Sequence, residues 1–288
     1  MKVAVIGANG QLGSDLMAEL ARQRWVAVPL THEDIRIEEM DSVRQVLGAV
    51  KPDVVLNTAA YHVVPKCEED PVRAHQVNAL GARNIAMACG DLGARSVYYS
   101  TDYVFDGAKG KPYNESDRPN PLNVYAATKL LGEYYNLNYA SKSLVLRVSG
   151  IYGRVPCRAK GGNFITTMVK AAKDKPEVRV VDDERLSPTA TAAIASKTLE
   201  ILRTEATGLF HVVSEGECSW YEFARVIFSA LGLHTPLRPA SVKDFPSTVK
   251  RPTYSALENV CLRDCGISPM PHWKDSVITF LRNQYGAA

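Results

Sequence analysis

Three glycines, at positions 7, 10 and 13, follow directly on the apolar run Val3-Ala4-Val5-Ile6 and directly precede a stretch with Leu12, Leu16 and Leu20 at helical spacing. A strand that turns at once into a helix leaves few ways to continue. Gly7 permits the tight turn, Gly10 lets a backbone approach a pyrophosphate, and Gly13 lets the helix pack closely on the strand. The N–H groups and the dipole at the helix start favour an anion. Two or three glycines in a turn say little alone. Between a first strand and a first helix they point to a dinucleotide site lined by Asn9, Gln11 and Leu12 as well.

The rest of the chain repeats the rhythm. Strands are expected at 25–29, 53–57, 95–100 and 143–148, and helices at 39–50, 71–92 and 124–139. Such alternation predicts an α/β fold, a doubly wound parallel Rossmann-type sheet covered on both faces. After Gly150 the rhythm changes. Helices are expected at 163–173, 191–202, 219–231 and 274–284, with strands at 178–181 and 208–213. We therefore expect residues 1–149, joined by roughly 190–213, to form the dinucleotide-binding domain. Roughly 150–189 and 214–288 form a smaller C-terminal substrate lobe.

Charge and composition exclude several classes. The 34 Lys and Arg residues against 31 Asp and Glu give a net charge of +3, and they are scattered, so no nucleic-acid partner is expected. No apolar run is long enough for a membrane span, and no leader is read at the N-terminus. The six cysteines form no CxxC pair, which fits reduced thiols and a cytoplasmic location. The six histidines show no metal-ligand spacing, so no metal is expected. GxSxG and GxxxxGK[ST] are both absent, which argues against an α/β-hydrolase and an NTPase.

Chemistry enters at Tyr125-Ala126-Ala127-Thr128-Lys129. Four residues apart at the start of a helix, the phenol and the ammonium share a face. A charged amine beside a phenol lowers its pKa and eases proton transfer.

GxxGxxG with YxxxK resembles the extended short-chain dehydrogenase/reductase family. Asn57-Thr58-Ala59-Ala60 and Val77-Asn78 support this, as does Ser100-Thr101-Asp102-Tyr103-Val104-Phe105-Asp106-Gly107. With Gly162-Asn163-Phe164, Ser187-Pro188-Thr189, Arg251-Pro252 and Pro271-His272-Trp273, nearly the whole chain resembles the dTDP-4-dehydrorhamnose reductase family. The resemblance implies NADPH or NADH as cofactor and a nucleotide-diphosphate-sugar as substrate, and it allows a homodimer. It implies that Tyr125 gives a proton to the C4 ketone of the sugar, that Lys129 holds the nicotinamide ribose, and that Thr101 hydrogen-bonds the reacting oxygen. Asp34, Ile35, Ala59, Ala60 and Tyr61 would line the cofactor; for Asp34, a capping role stays open. Asp102, Tyr103, His62, Val64, Gly150, Asn163 and Arg251 would face the substrate.

Two departures bear on the sugar. The family's tryptophan after the fifth strand is replaced by Gly150, which leads us to expect an open pocket wall there. His62 stands where the family has a small hydroxyl residue. Two alternatives remain at this point. One is a related nucleotide-sugar epimerase or dehydratase, although Tyr103 after Asp102 leaves a dehydratase's Asp-Glu pair incomplete. The other is a non-catalytic regulatory subunit that keeps the fold, like that of methionine adenosyltransferase.

Overall fold

The computed structural model describes residues 1–157 and 159–287. Its elements, in chain order, begin β1 (Lys2–Ile6), α1 (Gln11–Arg22), β2 (Val26–Leu30), α2 (Met40–Val50), β3 (Val54–Asn57), α3 (Val64–Glu69), α4 (Pro71–His75) and α5 (Gly81–Leu92). β4 (Arg95–Thr101), α6 (Val124–Tyr139), β5 (Ser143–Val148), α7 (Phe164–Asp174), β6 (Val178–Val181), β7 (Arg185–Leu186) and α8 (Thr191–Leu202) follow. The chain closes with β8 (Gly208–His211), β9 (Cys218–Ser219), α9 (Trp220–Ala230), β10 (Leu237–Ala240), α10 (Val260–Asp264) and α11 (Trp273–Tyr285).

Six strands form one parallel sheet in the order β2-β1-β3-β4-β5-β8. Strand order reverses around β1, which opens a crevice at the carboxyl ends of β1 and β3. Alternation along β1 divides the core. Val3 and Val5 pack with Leu12, Leu16 and Leu20 of α1 and Ile194 and Leu199 of α8. Ala4 and Ile6 face the other way, against Val43 and Leu47 of α2 and Ile85 of α5. A separate aromatic core holds Tyr152, Phe223 and Trp273 with Phe164 and Phe280. No helix among the described residues is long and apolar enough to cross a membrane.

The expected helix 71–92 is not one regular helix. Between α4 and α5 the chain makes a π turn, Gln76–Leu80. That turn widens the backbone at Asn78, whose carbonyl accepts the Tyr98 hydroxyl at 2.9 Å. That partner lies on β4, which local periodicity does not record.

A buried ion pair locks α6 onto the sheet. Arg147 donates to both Glu133 oxygens, at 2.8 and 2.7 Å, and Ser100 adds a hydrogen bond of 2.5 Å to the same carboxylate. Both charged side chains are almost wholly buried. Arg147 also lies 5.1 Å from the centre of the Phe105 ring.

Candidate active site

The turn after β1 is built for close approach. Gly7 sits at φ +80°, and a Cβ there would fall 2.5 Å from Thr58 Oγ1. A Cβ on Gly13 would lie 2.1 Å from the Gly7 carbonyl oxygen, so α1 can rest against the turn only with glycine there. Gly10 caps α1 without a side-chain hydrogen bond, and no acidic residue lies in the first turn. The helix start thus presents its N–H groups and its positive dipole end uncovered, which fits a dinucleotide phosphate. Asn9 is exposed at the turn, while Gln11 and Leu12 are buried behind it. At the end of β3, Asn57 Oδ1 accepts from the Ala59 N–H at 3.1 Å and shapes the loop of Ala59, Ala60 and Tyr61. Asn78 pins that loop: it accepts the Tyr61 N–H at 2.8 Å, and donates to the Tyr61 carbonyl at 2.9 Å and to Thr128 at 3.1 Å.

Two strands along the same sheet edge, roughly 10 Å away at ordinary strand spacing, β4 ends in Thr101. Its hydroxyl donates to Asp102 Oδ1 at 3.1 Å and accepts the Tyr103 N–H at 3.2 Å. It also neighbours the Tyr125 phenol and favours the ionised form of that group. Tyr125 lies in the first turn of α6, which Asn123 caps by accepting the Ala126 N–H at 2.9 Å. The Tyr103 ring meets the Tyr125 ring edge-on at 6.3 Å.

The electrostatics differ from the expectation for an isolated Tyr–Lys pair. Burial pushes the Tyr125 phenol above its ordinary range; the Thr101 hydrogen bond works against this, and the charges of Asp102 and Cys67 add to it. Lys129 is buried, and its amine donates to the Tyr99 carbonyl at 2.6 Å while sitting 3.9 Å from the centre of the Tyr98 ring. Burial draws that amine down to about 7, with Glu133 opposing the shift. The phenol therefore keeps its proton at neutral pH.

Asp102 is turned inward, only 4 % exposed. Besides Thr101, its carboxylate accepts the hydroxyls of Ser149 at 2.8 Å and Ser255 at 2.6 Å. Burial raises its pKa and the three hydroxyls oppose that. Asp102 thus holds Thr101 in place rather than facing a substrate.

Other expected residues also change role. Ile35 is 3 % exposed and belongs to the core beside α2, because the chain after β2 folds down over that face. Asp34 is spent on a local turn, accepting the N–H and hydroxyl of Thr31 at 2.7 and 2.8 Å. Asn163 caps α7 and donates to Gln11 at 3.2 Å and to the Gly153 carbonyl at 3.0 Å, so both ends of its amide are engaged inside the protein. Val64 is buried in the first turn of α3. Tyr103 and His62 stay half-buried, and Arg251 is exposed; its charge reaches Tyr103, Glu184 and Lys160. Glu184, a buried carboxylic acid beside Arg251 and Trp220, carried no motif in the sequence.

Gly150 corrects the reading of the pocket wall. Its φ is +50°, and a Cβ would meet Leu186 Cδ1 at 2.6 Å and Pro188 Cα at 3.2 Å. The space is filled, not open. Gly150→Trp is accordingly expected to cost about 2–4 kcal/mol of stability through left-handed strain and overpacking. A thermal midpoint equal to that of the native protein would contradict this.

Among the described residues, no group of three or more His, Cys, Asp or Glu side chains converges on a metal site. The arrangement is a glycine-lined anion cradle and a hydroxyl pair, Thr101 and Tyr125, on one edge of one sheet.

Known proteins resemble this chain over nearly its whole length. Spore coat polysaccharide biosynthesis protein SpsK of Bacillus subtilis is 36% identical, covering 99% of both chains. The dTDP-4-keto-6-deoxy-D-glucose reductase of Streptomyces niveus is 37% identical, over 93% of this chain and 92% of its own. The crystal structure of dTDP-4-dehydrorhamnose reductase from Bacillus anthracis in complex with NADP superposes with a TM-score of 0.93 at 35% identity, covering 98% of this chain and 100% of its own. The family model for the RmlD substrate binding domain matches residues 1–285. On that match and on these relatives, the chain belongs to the RmlD substrate binding domain family.

Proposed function

We propose that this protein is an NAD(P)H-dependent reductase of the dTDP-4-dehydrorhamnose reductase type, which reduces the C4 ketone of a dTDP-linked 6-deoxysugar. One observation carries the assignment of roles: a phenol that burial keeps protonated, Tyr125, stands beside Thr101 at the same sheet edge as the uncapped start of α1. The cradle of Gly7, Gly10 and Gly13 with the Ala59–Tyr61 loop would hold the dinucleotide. When bound, the reduced nicotinamide supplies the hydride. The chain's own residues handle the proton. Tyr125 donates it to the ketone oxygen, and Thr101, fixed by Asp102, orients the phenol. Lys129, with an amine near its midpoint at neutral pH, sits one turn behind Tyr125 for the ribose and for restoring the proton. Free cysteines throughout the described chain support a reducing compartment, the cytoplasm.

The assay is direct. Purified protein with NADPH or NADH is given dTDP-4-dehydrorhamnose or dTDP-4-keto-6-deoxy-D-glucose, and absorbance of the reduced cofactor is followed. Consumption on at least one ketosugar is expected. Cofactor binding without turnover on either would favour a regulatory subunit.

A further inference from the structure

Beside the proposed reductase site, the structure pairs a thiol with His62, a residue the sequence places toward the substrate. Cys157 Sγ lies 3.1 Å from His62 Nε2. The other ring nitrogen of His62, Nδ1, lies 3.1 Å from the Ala60 carbonyl oxygen. A carbonyl only accepts, so Nδ1 carries the hydrogen, and in the neutral ring Nε2 offers its lone pair to the thiol. Nucleophile, base and a third group that fixes the base are thus all present. Cys157 is half-buried.

Among the described residues, the groups that face this sulfur come from two segments. His62 comes from the loop after β3, and Lys160 from the Cys157 loop itself; Lys160 in turn faces Cys67 and Arg251. Burial pushes the Cys157 thiol up, but once its proton has moved to Nε2 the hydrogen bond and charge of the resulting His62 imidazolium, with the Lys160 N–H and charge, outweigh it and bring the thiol from 9.0 to about 7. Cys67 is the contrast. Its S–H donates to the Tyr61 carbonyl at 3.2 Å, and burial raises it to about 11.

We propose that Cys157, activated by His62, is a modification site for soft carbon electrophiles, next to the Ala59–Tyr61 loop. The sulfur lone pair forms the S–C bond, the leaving group departs with its electron pair, and the thiol proton passes to His62 Nε2 and then to solvent. With iodoacetamide as probe, the products are the carboxamidomethyl thioether, iodide and a proton. The proposal does not depend on ketosugar reduction, because its readout is labelling.

The pH profile separates this from a merely packed cysteine. At pH 7 a thiol titrating near 7 is about half thiolate, against about one per cent for one at 9, roughly a fiftyfold gain. Lower basicity costs about eightfold in intrinsic nucleophilicity, leaving about sixfold. His62→Asn keeps a donor for the Ala60 carbonyl but has no proton acceptor of imidazole strength. Peptide mass spectrometry after limiting iodoacetamide should show Cys157 alkylated about sixfold faster in the native protein than in His62→Asn at pH 7. At pH 10 the variant's thiol ionises as well, so the native advantage should shrink or invert. The native profile alone should rise with a midpoint near 7, and Cys157→Ser should abolish that label. A native midpoint near 9, or equal rates in the two proteins at both pH values, would overturn the proposal.

Discussion

Replacing Tyr125 with phenylalanine is expected to lower kcat for ketosugar reduction by about 10²–10⁴-fold, the usual contribution of a positioned general acid. That corresponds to roughly 3–5 kcal/mol of transition-state stabilisation. The ring still fills its place against Tyr103, so the fold and the Asn123 cap should persist. In the proposed role the lost hydroxyl interacts with the ketone oxygen mainly as charge develops on it. KM for the nucleotide sugar should therefore change much less than kcat. Steady-state kinetics with cofactor in excess makes the measurement, and a variant within tenfold of native kcat would remove Tyr125 from the role. The phenol that burial holds protonated is the group that this substitution deletes.

The largest effect on stability is expected at the ion pair between α6 and β5. Arg147→Met leaves Glu133 buried without its partner, while Ser100 alone still donates to it. Breaking such a pair typically costs about 3–5 kcal/mol, most of it the penalty of an uncompensated buried charge. The double variant with Glu133→Gln should recover a large part of the loss. Denaturant unfolding of the two variants and the native protein tests both statements, and a single variant as stable as native would refute the first.

His211 adds a pH dependence to the same region. Burial and the neighbouring Arg147 charge hold its imidazole down at about 3, against 6.5 when unhindered. The unfolded chain thus binds a proton that the folded chain refuses. Stability from this group is full above about pH 6.5 and is lost as pH falls from there toward 3.

The frame of the molecule was legible because it rests on repeating patterns. Alternating strands and helices announced the sheet, and glycine spacing placed the cradle. The Tyr125–Lys129 spacing named one helix face, though not where the amine would point. The remainder depends on meetings between distant parts of the chain. Asn78 lies in a π turn, and its carbonyl accepts the Tyr98 hydroxyl from a distant strand. Ile35 is core because of how the chain folds after β2, and Gly150 is closed off by Leu186 from a different strand. Cys157 meets His62 across 95 positions. Loop residues have no period, so nothing local marked them.

The hydroxyl of Ser255 reaches Asp102 from 153 positions downstream. By the time β8 has left the ribosome, every strand of the main sheet has been made. A nascent chain halted there would still lack one of the three donors that hold this aspartate, and with it the setting of Thr101. Completion of the reactive end thus waits for the closing stretch of translation, well after the dinucleotide cradle has been synthesised.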